Sequence, residues 1–191
     1  MSALVIVLRT VSLVAFAGPM LLGVGKRHRR PRARARQARR GRAPVVANFT
    51  AFALFFLSIL IFSGSPSARM ALPVAVSGCV LAVAGAALVL RSRAELGPAW
   101  SFVPQADHGT SLVTTGPYHL VRHPIYLGLA LLALGEALAF GSWPALVVVL
   151  FGIVPTFAWR ARAEDKLLER TFGERYAVYR QRTRMIIPRL L

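Results

Sequence analysis

Long apolar runs broken by short arginine-rich stretches constrain this chain more than any other feature. Residues 3–25, 45–63 and 70–90 are each about twenty mainly apolar positions, and 125–140 and 145–159 are two shorter runs joined by Gly141, Ser142, Trp143 and Pro144. At 1.5 Å per residue, about twenty helical residues cross the ~30 Å hydrocarbon core of a bilayer, where a helix satisfies every backbone polar group internally. The pattern predicts an all-α integral membrane protein of about five transmembrane helices, three spans followed by a short helical hairpin. Residues 1–191 read as one membrane domain, with three spans in 1–90, the hairpin at 125–159 and most of the unusual chemistry in 91–191.

The charge fits that reading better than it fits nucleic acid. The formal charge is +17, yet ten of the 24 Lys and Arg residues fall within 26–42, between two apolar runs that a nucleic-acid binder would have to leave in the bilayer. Placing loop 26–42 in the cytoplasm by the positive-inside rule puts the N-terminus outside. Arg91, Arg93, Arg160 and Arg162 then also face the cytoplasm, with only Arg9 and Arg69 left to snorkel at the outer interface. The expected location is the plasma (inner) membrane rather than the endoplasmic reticulum, with the C-terminus in the cytoplasm. The loop's arginines need do no more than set topology and attract anionic headgroups. Basic residues follow the first run rather than precede it, unlike a signal peptide. The single cysteine, Cys79, lies in an apolar run and reads as a small buried hydrophobe, and the four histidines lack metal-ligand spacing, so no metal is expected.

Two cytoplasmic segments carry the candidate chemistry. In Thr115-Gly116-Pro117-Tyr118-His119-Leu120-Val121-Arg122-His123-Pro124-Ile125-Tyr126-Leu127-Gly128, Pro124 suits the first turn of a helix, whose start offers free amides and partial positive charge to an anion. Gly116-Pro117 interrupts regular structure, and Tyr118 and Tyr126 offer aromatic faces to a base or a sulfonium. Composition alone favours an interfacial girdle of Tyr, His and Arg around a helix start. In Arg160-Ala161-Arg162-Ala163-Glu164-Asp165, Arg160 and Glu164 share a helical face, either as a surface ion pair or as grips for an anionic group and an amine. Leu168, Phe172, Tyr176 and Tyr179 then form one face of a C-terminal amphipathic helix. Glu136, inside the hairpin near its outer end, reads as exposed at the interface or hydrogen-bonded within the bundle. Gly78, Ala82 and Gly85 permit close helix packing, and oligomeric state is not legible.

The ordered set Leu96-Gly97, Trp100-Ser101, Leu112 to Tyr118, Arg122-His123-Pro124, Tyr126, Gly128, Arg160, Glu164, Leu168, Phe172-Gly173, Tyr176, Tyr179 and Pro188 resembles the isoprenylcysteine carboxyl methyltransferase and phospholipid methyltransferase superfamily. The resemblance covers about residues 95–188. It implies an S-adenosylmethionine-dependent methyltransferase whose C-terminal helix closes a cytoplasmic cofactor pocket, with a lipophilic or prenylated acceptor entering from the bilayer. It assigns cofactor contacts to Gly116, Pro117, Tyr118, Arg122, His123, Pro124, Tyr126, Glu164 and Asp165, and the reacting centre to Arg160 and Glu164. If the acceptor is a neutral amine or hydroxyl, Glu164 or His119 is the candidate base. Pro98 stands where a basic residue is common, and Asp165 replaces a second glutamate. The alternatives are an NADPH-dependent reductase of the sterol reductase type and a non-enzymatic scaffold for anionic lipids. No motif names the acceptor.

Overall fold

The computed structural model describes residues 42–62, 68–97 and 111–187, together with Val7 and Thr10. The first apolar run, nearly all of the basic loop, Pro98, Trp100, Ser101 and Pro188 lie outside the described residues. What is described is helical. Helix α1 spans Arg42–Phe62, α2 Ala68–Leu96 and α3 Pro124–Phe140. A single rod follows, made of α4 (Trp143–Val148), a π-turn (Val149–Ile153) and α5 (Val154–Phe172), and then α6 (Glu174–Arg182). Among the described residues the only strand-like feature is one parallel bridge between Val121 and Arg184.

Three helices, Ala43–Phe62, Leu72–Leu96 and Trp143–Phe172, are long and apolar enough to cross a membrane, and Pro124–Phe140 is a shorter apolar helix. The protein is an integral membrane protein. The hairpin is asymmetric, unlike the two short arms expected from the sequence. Its second arm continues as a helix to Phe172, because residues 156–171 contain neither proline nor the αL-prone residues that end helices. Pro155 lies just inside α5 and cannot donate to the preceding turn, and the chain widens there into the π-turn. Gly141 (φ 63°) caps α3 in the left-handed region, its amide bonded to the carbonyls of Ala137 and Leu138. The expected continuous face from Leu168 to Tyr179 is split between two helices, since Gly173 (φ 55°) breaks the rod before α6. Tyr176 and Tyr179 are buried, while Leu168 and Phe172 are half-buried.

Helices α2 and α3 pack antiparallel with their backbones in contact. A Cβ on Gly85 would lie 2.6 Å from the Gly128 carbonyl oxygen and from the Leu132 nitrogen, and one on Gly135 would lie 2.4 Å from the Ala82 nitrogen. The small-residue row of α2 is thus used within the chain, where it brings two apolar helices to van der Waals contact. On the other side of α3, Phe52 and Phe55 of α1 join Leu132, Val149, Ile153 and Phe157 in a core that also takes in Met185 and Ile186 from the chain end. Glu136 is fully buried in α3, which excludes the exposed position at the interface.

Candidate active site

The site is assembled where α3 begins. Gly116–His119 forms one 3-10 turn, with Pro117 at its start and Gly116 at φ 57°. A Cβ at Gly116 would lie 2.8 Å from a carboxylate oxygen of Glu95, whose other oxygen accepts a hydrogen bond from the Thr115 hydroxyl. The backbone angle favours glycine there, and any larger residue would also have to displace the flexible Glu95 side chain. Glu95, at the end of α2, fixes this turn. The short-range sequence pattern held no sign of it beyond the scarcity of acidic residues.

Val121 makes an isolated bridge, the chain bends at Arg122, and His123 (φ −124°, ψ 61°) leads into Pro124, which starts α3 as expected. The amides of Arg122 and His123 donate to the carbonyls of Arg184 (2.8 Å) and Met185 (3.0 Å). The acidic pair of α5 lies against the first turn of α3. His123 Nε2 is 2.7 Å from Asp165 Oδ1, and His123 Nδ1 is 3.4 Å from Glu164 Oε2. The Tyr126 hydroxyl donates to Glu164 Oε1, and Arg160 Nε lies 3.5 Å from that same oxygen. Asp165 also accepts from the Tyr176 hydroxyl (2.5 Å) and from Arg122 Nη2 (3.3 Å).

Aromatic rings pack against this polar cluster. Phe157, Tyr126 and His123 stack in a column with centroids 5.1 and 5.5 Å apart, and the Arg160 guanidinium carbon sits 5.5 Å from the Tyr126 centroid. His123 and Asp165 are buried, and Arg122, Arg160 and Glu164 are half-buried. Burial disfavours a charged imidazole, but the hydrogen bond from His123 to Asp165 and the contacts with Glu164 outweigh it and hold its pKa above the ordinary range. The two carboxylates thus favour the protonated form of His123. Burial pushes the Tyr179 hydroxyl up to about 12, and burial followed by the bond to Asp165 raises Tyr176 further, so both act as neutral donors.

The residues expected from the sequence converge: Tyr118, Arg122, His123, Pro124, Tyr126, Arg160, Glu164 and Asp165 form one cluster, and Gly116 and Pro117 form the turn beside it. His119 is exposed and bonded back to the Gly116 carbonyl (2.9 Å) rather than to the cluster. Tyr176 was visible as part of an amphipathic face but not as a partner of Asp165, and residues 183–185 carried no signal at all.

The profile of the phospholipid methyltransferase family matches residues 73–175, from within α2 through the cluster to the first residues of α6. The chain belongs to the phospholipid methyltransferase family. Among curated relatives, the protein-S-isoprenylcysteine O-methyltransferase of Saccharomyces cerevisiae is 31% identical over 137 residues, covering 70% of this chain and 55% of that protein. The enzyme of the same name from Schizosaccharomyces pombe is 34% identical over 103 residues, 52% of this chain and 44% of that protein. The cobalt-zinc-cadmium resistance protein CzcN of Cupriavidus metallidurans is 33% identical over 102 residues, 52% of this chain and 46% of that protein. This family member thus spans about half the length of the curated relatives it matches. A solved structure of the eukaryotic intramembrane Ras methyltransferase ICMT (isoprenylcysteine carboxyl methyltransferase) shares the fold. Its TM-score is 0.61 at 22% identity, over 76% of this chain and 52% of that one.

Proposed function

We propose that the protein is an S-adenosylmethionine-dependent methyltransferase acting on a lipophilic, membrane-borne acceptor, with carboxyl methylation as the reaction. One observation carries the reading: in a member of this family, the start of α3 and the Glu164-Asp165 turn meet in one largely buried cluster. That cluster adjoins apolar helices of membrane-spanning length. The isoprenylcysteine methyltransferases named above supply the acceptor class. The same match makes a nicotinamide reductase or a lipid scaffold the poorer account.

The donor set fits the cofactor. Tyr118 offers an aromatic ring to an adenine or a sulfonium, Glu164 offers a carboxylate to an amine or a cation, and the Gly116 turn allows close backbone approach, while the Tyr126 ring is taken up between His123 and Phe157. When bound, S-adenosylmethionine supplies an already activated methyl electrophile. The chain's own residues therefore need mainly to align and to exclude water. Tyr126 and His123 hold Glu164 in one orientation. Arg160, held over Tyr126, presents positive charge to an anionic acceptor head arriving along the lipid face of α5. A carboxylate acceptor needs no base.

Topology belongs to the same proposal. The exposed surface of the rod changes along its length from Leu150 and Phe151 through Trp159 to Arg162, Lys166 and Arg170. An aromatic followed by a basic stripe marks a cytoplasmic interface, so the cluster faces the cytoplasm, in a plasma (inner) membrane.

Isothermal calorimetry on the detergent-purified protein tests the cofactor: S-adenosylhomocysteine binds the wild type, and Glu164→Gln weakens it by roughly tenfold or more, the loss expected of a charge-assisted bond. Arg160→Ala instead raises the acceptor KM by roughly tenfold to a hundredfold with the cofactor Kd little changed, read by transfer of labelled methyl to prenylcysteine analogues. A wild type that binds neither S-adenosylmethionine nor its product overturns the proposal.

A further inference from the structure

We infer that Arg122 is a positioning residue, the latch that holds a C-terminal strap, α6 with residues 183–187, against the start of α3 and so sets how firmly a ligand is retained at the His123–Glu164 pair. The enclosure of a cofactor rests on the methyltransferase reading; the latch itself does not.

The polar atoms of Arg122 are turned toward the strap. Nη1 donates to the carbonyls of Arg180 (3.2 Å) and Thr183, and Nη2 donates to Asp165. Those two carbonyls lie at the C-terminal end of α6, where a helix leaves oxygens without intrahelical partners and carries partial negative charge, so a guanidinium is the natural cap. Nε is buried and makes no hydrogen bond among the described residues. With three bonds directed inward and Nε enclosed, the planar fork that recognises a ligand carboxylate is not open.

The main chain completes the latch. The amides of Arg122 and His123 donate to Arg184 and Met185, the bridge between Val121 and Arg184 flanks them, and the Tyr179 hydroxyl donates to the Tyr118 carbonyl (2.7 Å). Asp165 receives Arg122 from one side and the Tyr176 hydroxyl of α6 from another, so a single carboxylate on α5 joins the start of α3 to the strap. Met185 and Ile186 are separately anchored in the core. Removing the guanidinium therefore loosens the strap without detaching it.

The test uses the full chain in detergent, with two readouts. In ligand-free protein, Arg122→Gln is expected to speed amide hydrogen exchange at 176–187 while α2 and α3 keep wild-type protection. In binding, the variant is expected to weaken S-adenosylhomocysteine and 5′-deoxy-5′-methylthioadenosine by the same factor, roughly tenfold, because the closed fraction falls for any ligand. The second compound lacks the amino-acid group, so a guanidinium that grips the ligand carboxylate would affect only the first. Arg122→Lys should restore part of both effects, and Tyr176→Phe should reproduce them more weakly and carries the test if Arg122→Gln does not fold. Unchanged exchange, or weakened binding confined to S-adenosylhomocysteine, overturns the inference. A wild type that binds neither compound overturns the methyltransferase reading, and exchange alone then decides the latch.

Discussion

His123 is buried between Asp165 and Glu164, with its ring stacked on Tyr126. Its pKa is raised above the ordinary 6.5, because the bonds to Asp165 and Glu164 overcome the burial that would lower it. A histidine raised on folding contributes stability that is complete below the unfolded value and is lost as pH climbs through the folded one. Melting temperature in detergent is therefore expected to fall as pH rises above about 6.5, and His123→Gln should melt lower while losing that slope. A wild-type melting curve that is flat across that window would show that the imidazole is neutral in the folded protein. Much of this cluster was readable from the chain: Pro124 marks a helix start, and Arg160 and Glu164 share a face by spacing alone. The pairing of His123 with Asp165, and of Arg122 with the carbonyls at 180 and 183, spans 42 to 61 residues. No local periodicity encodes contacts at that range.

Two glycines in apolar helices make opposite demands of their neighbours. Gly135 lies on the backbone of α2, with a Cβ position 2.4 Å from the Ala82 nitrogen, whereas the Cβ position of Gly152 in the π-turn is 3.5 Å from Val148 and 3.6 Å from Ala51. Gly135→Val must push α2 and α3 apart and is expected to destabilise by roughly 1–3 kcal/mol, while Gly152→Ala makes ordinary contacts and gains helix propensity, so it should be neutral or slightly stabilising. Thermal melts of the two variants side by side check the contrast, and equal destabilisation would contradict the packing. Spans and small-residue rows were legible because they depend on composition and on spacings within one helix. The π-turn and the break at Gly173 were not, since the apolar and aromatic periodicity passes through both; the positive φ at Gly173 and the missing donor of Pro155 decide them.

At the scale of the whole bundle, the polar chemistry of the described residues gathers at one end. The end of α2 carries Arg91 and Arg93, Glu95 from that same end reaches the Gly116 turn, and the start of α3 meets Arg160 to Asp165 and the strap. The other end holds the Gly141-Ser142 corner, where the Ser142 hydroxyl donates to the Ser58 carbonyl near the end of α1 (3.2 Å). In a bilayer these two ends face different compartments, and the cytoplasmic placement proposed above rests on the excess of arginine at the first, since translocating such a cluster is disfavoured. The assignment predicts a labelling pattern. In a Cys79→Ala background, single cysteines replacing exposed Arg91 and exposed Arg184 should react with an impermeant maleimide only after the cytoplasmic face is opened, whereas one replacing the exposed Trp143 should react from outside in intact cells. Arg91 and Arg184 labelled from opposite sides would separate α2 from the strap and dismantle the site. Arg91 and Arg184 labelled from outside, with Trp143 reacting only after the cytoplasmic face is opened, would keep the site and invert the protein, placing the acceptor in the outer leaflet.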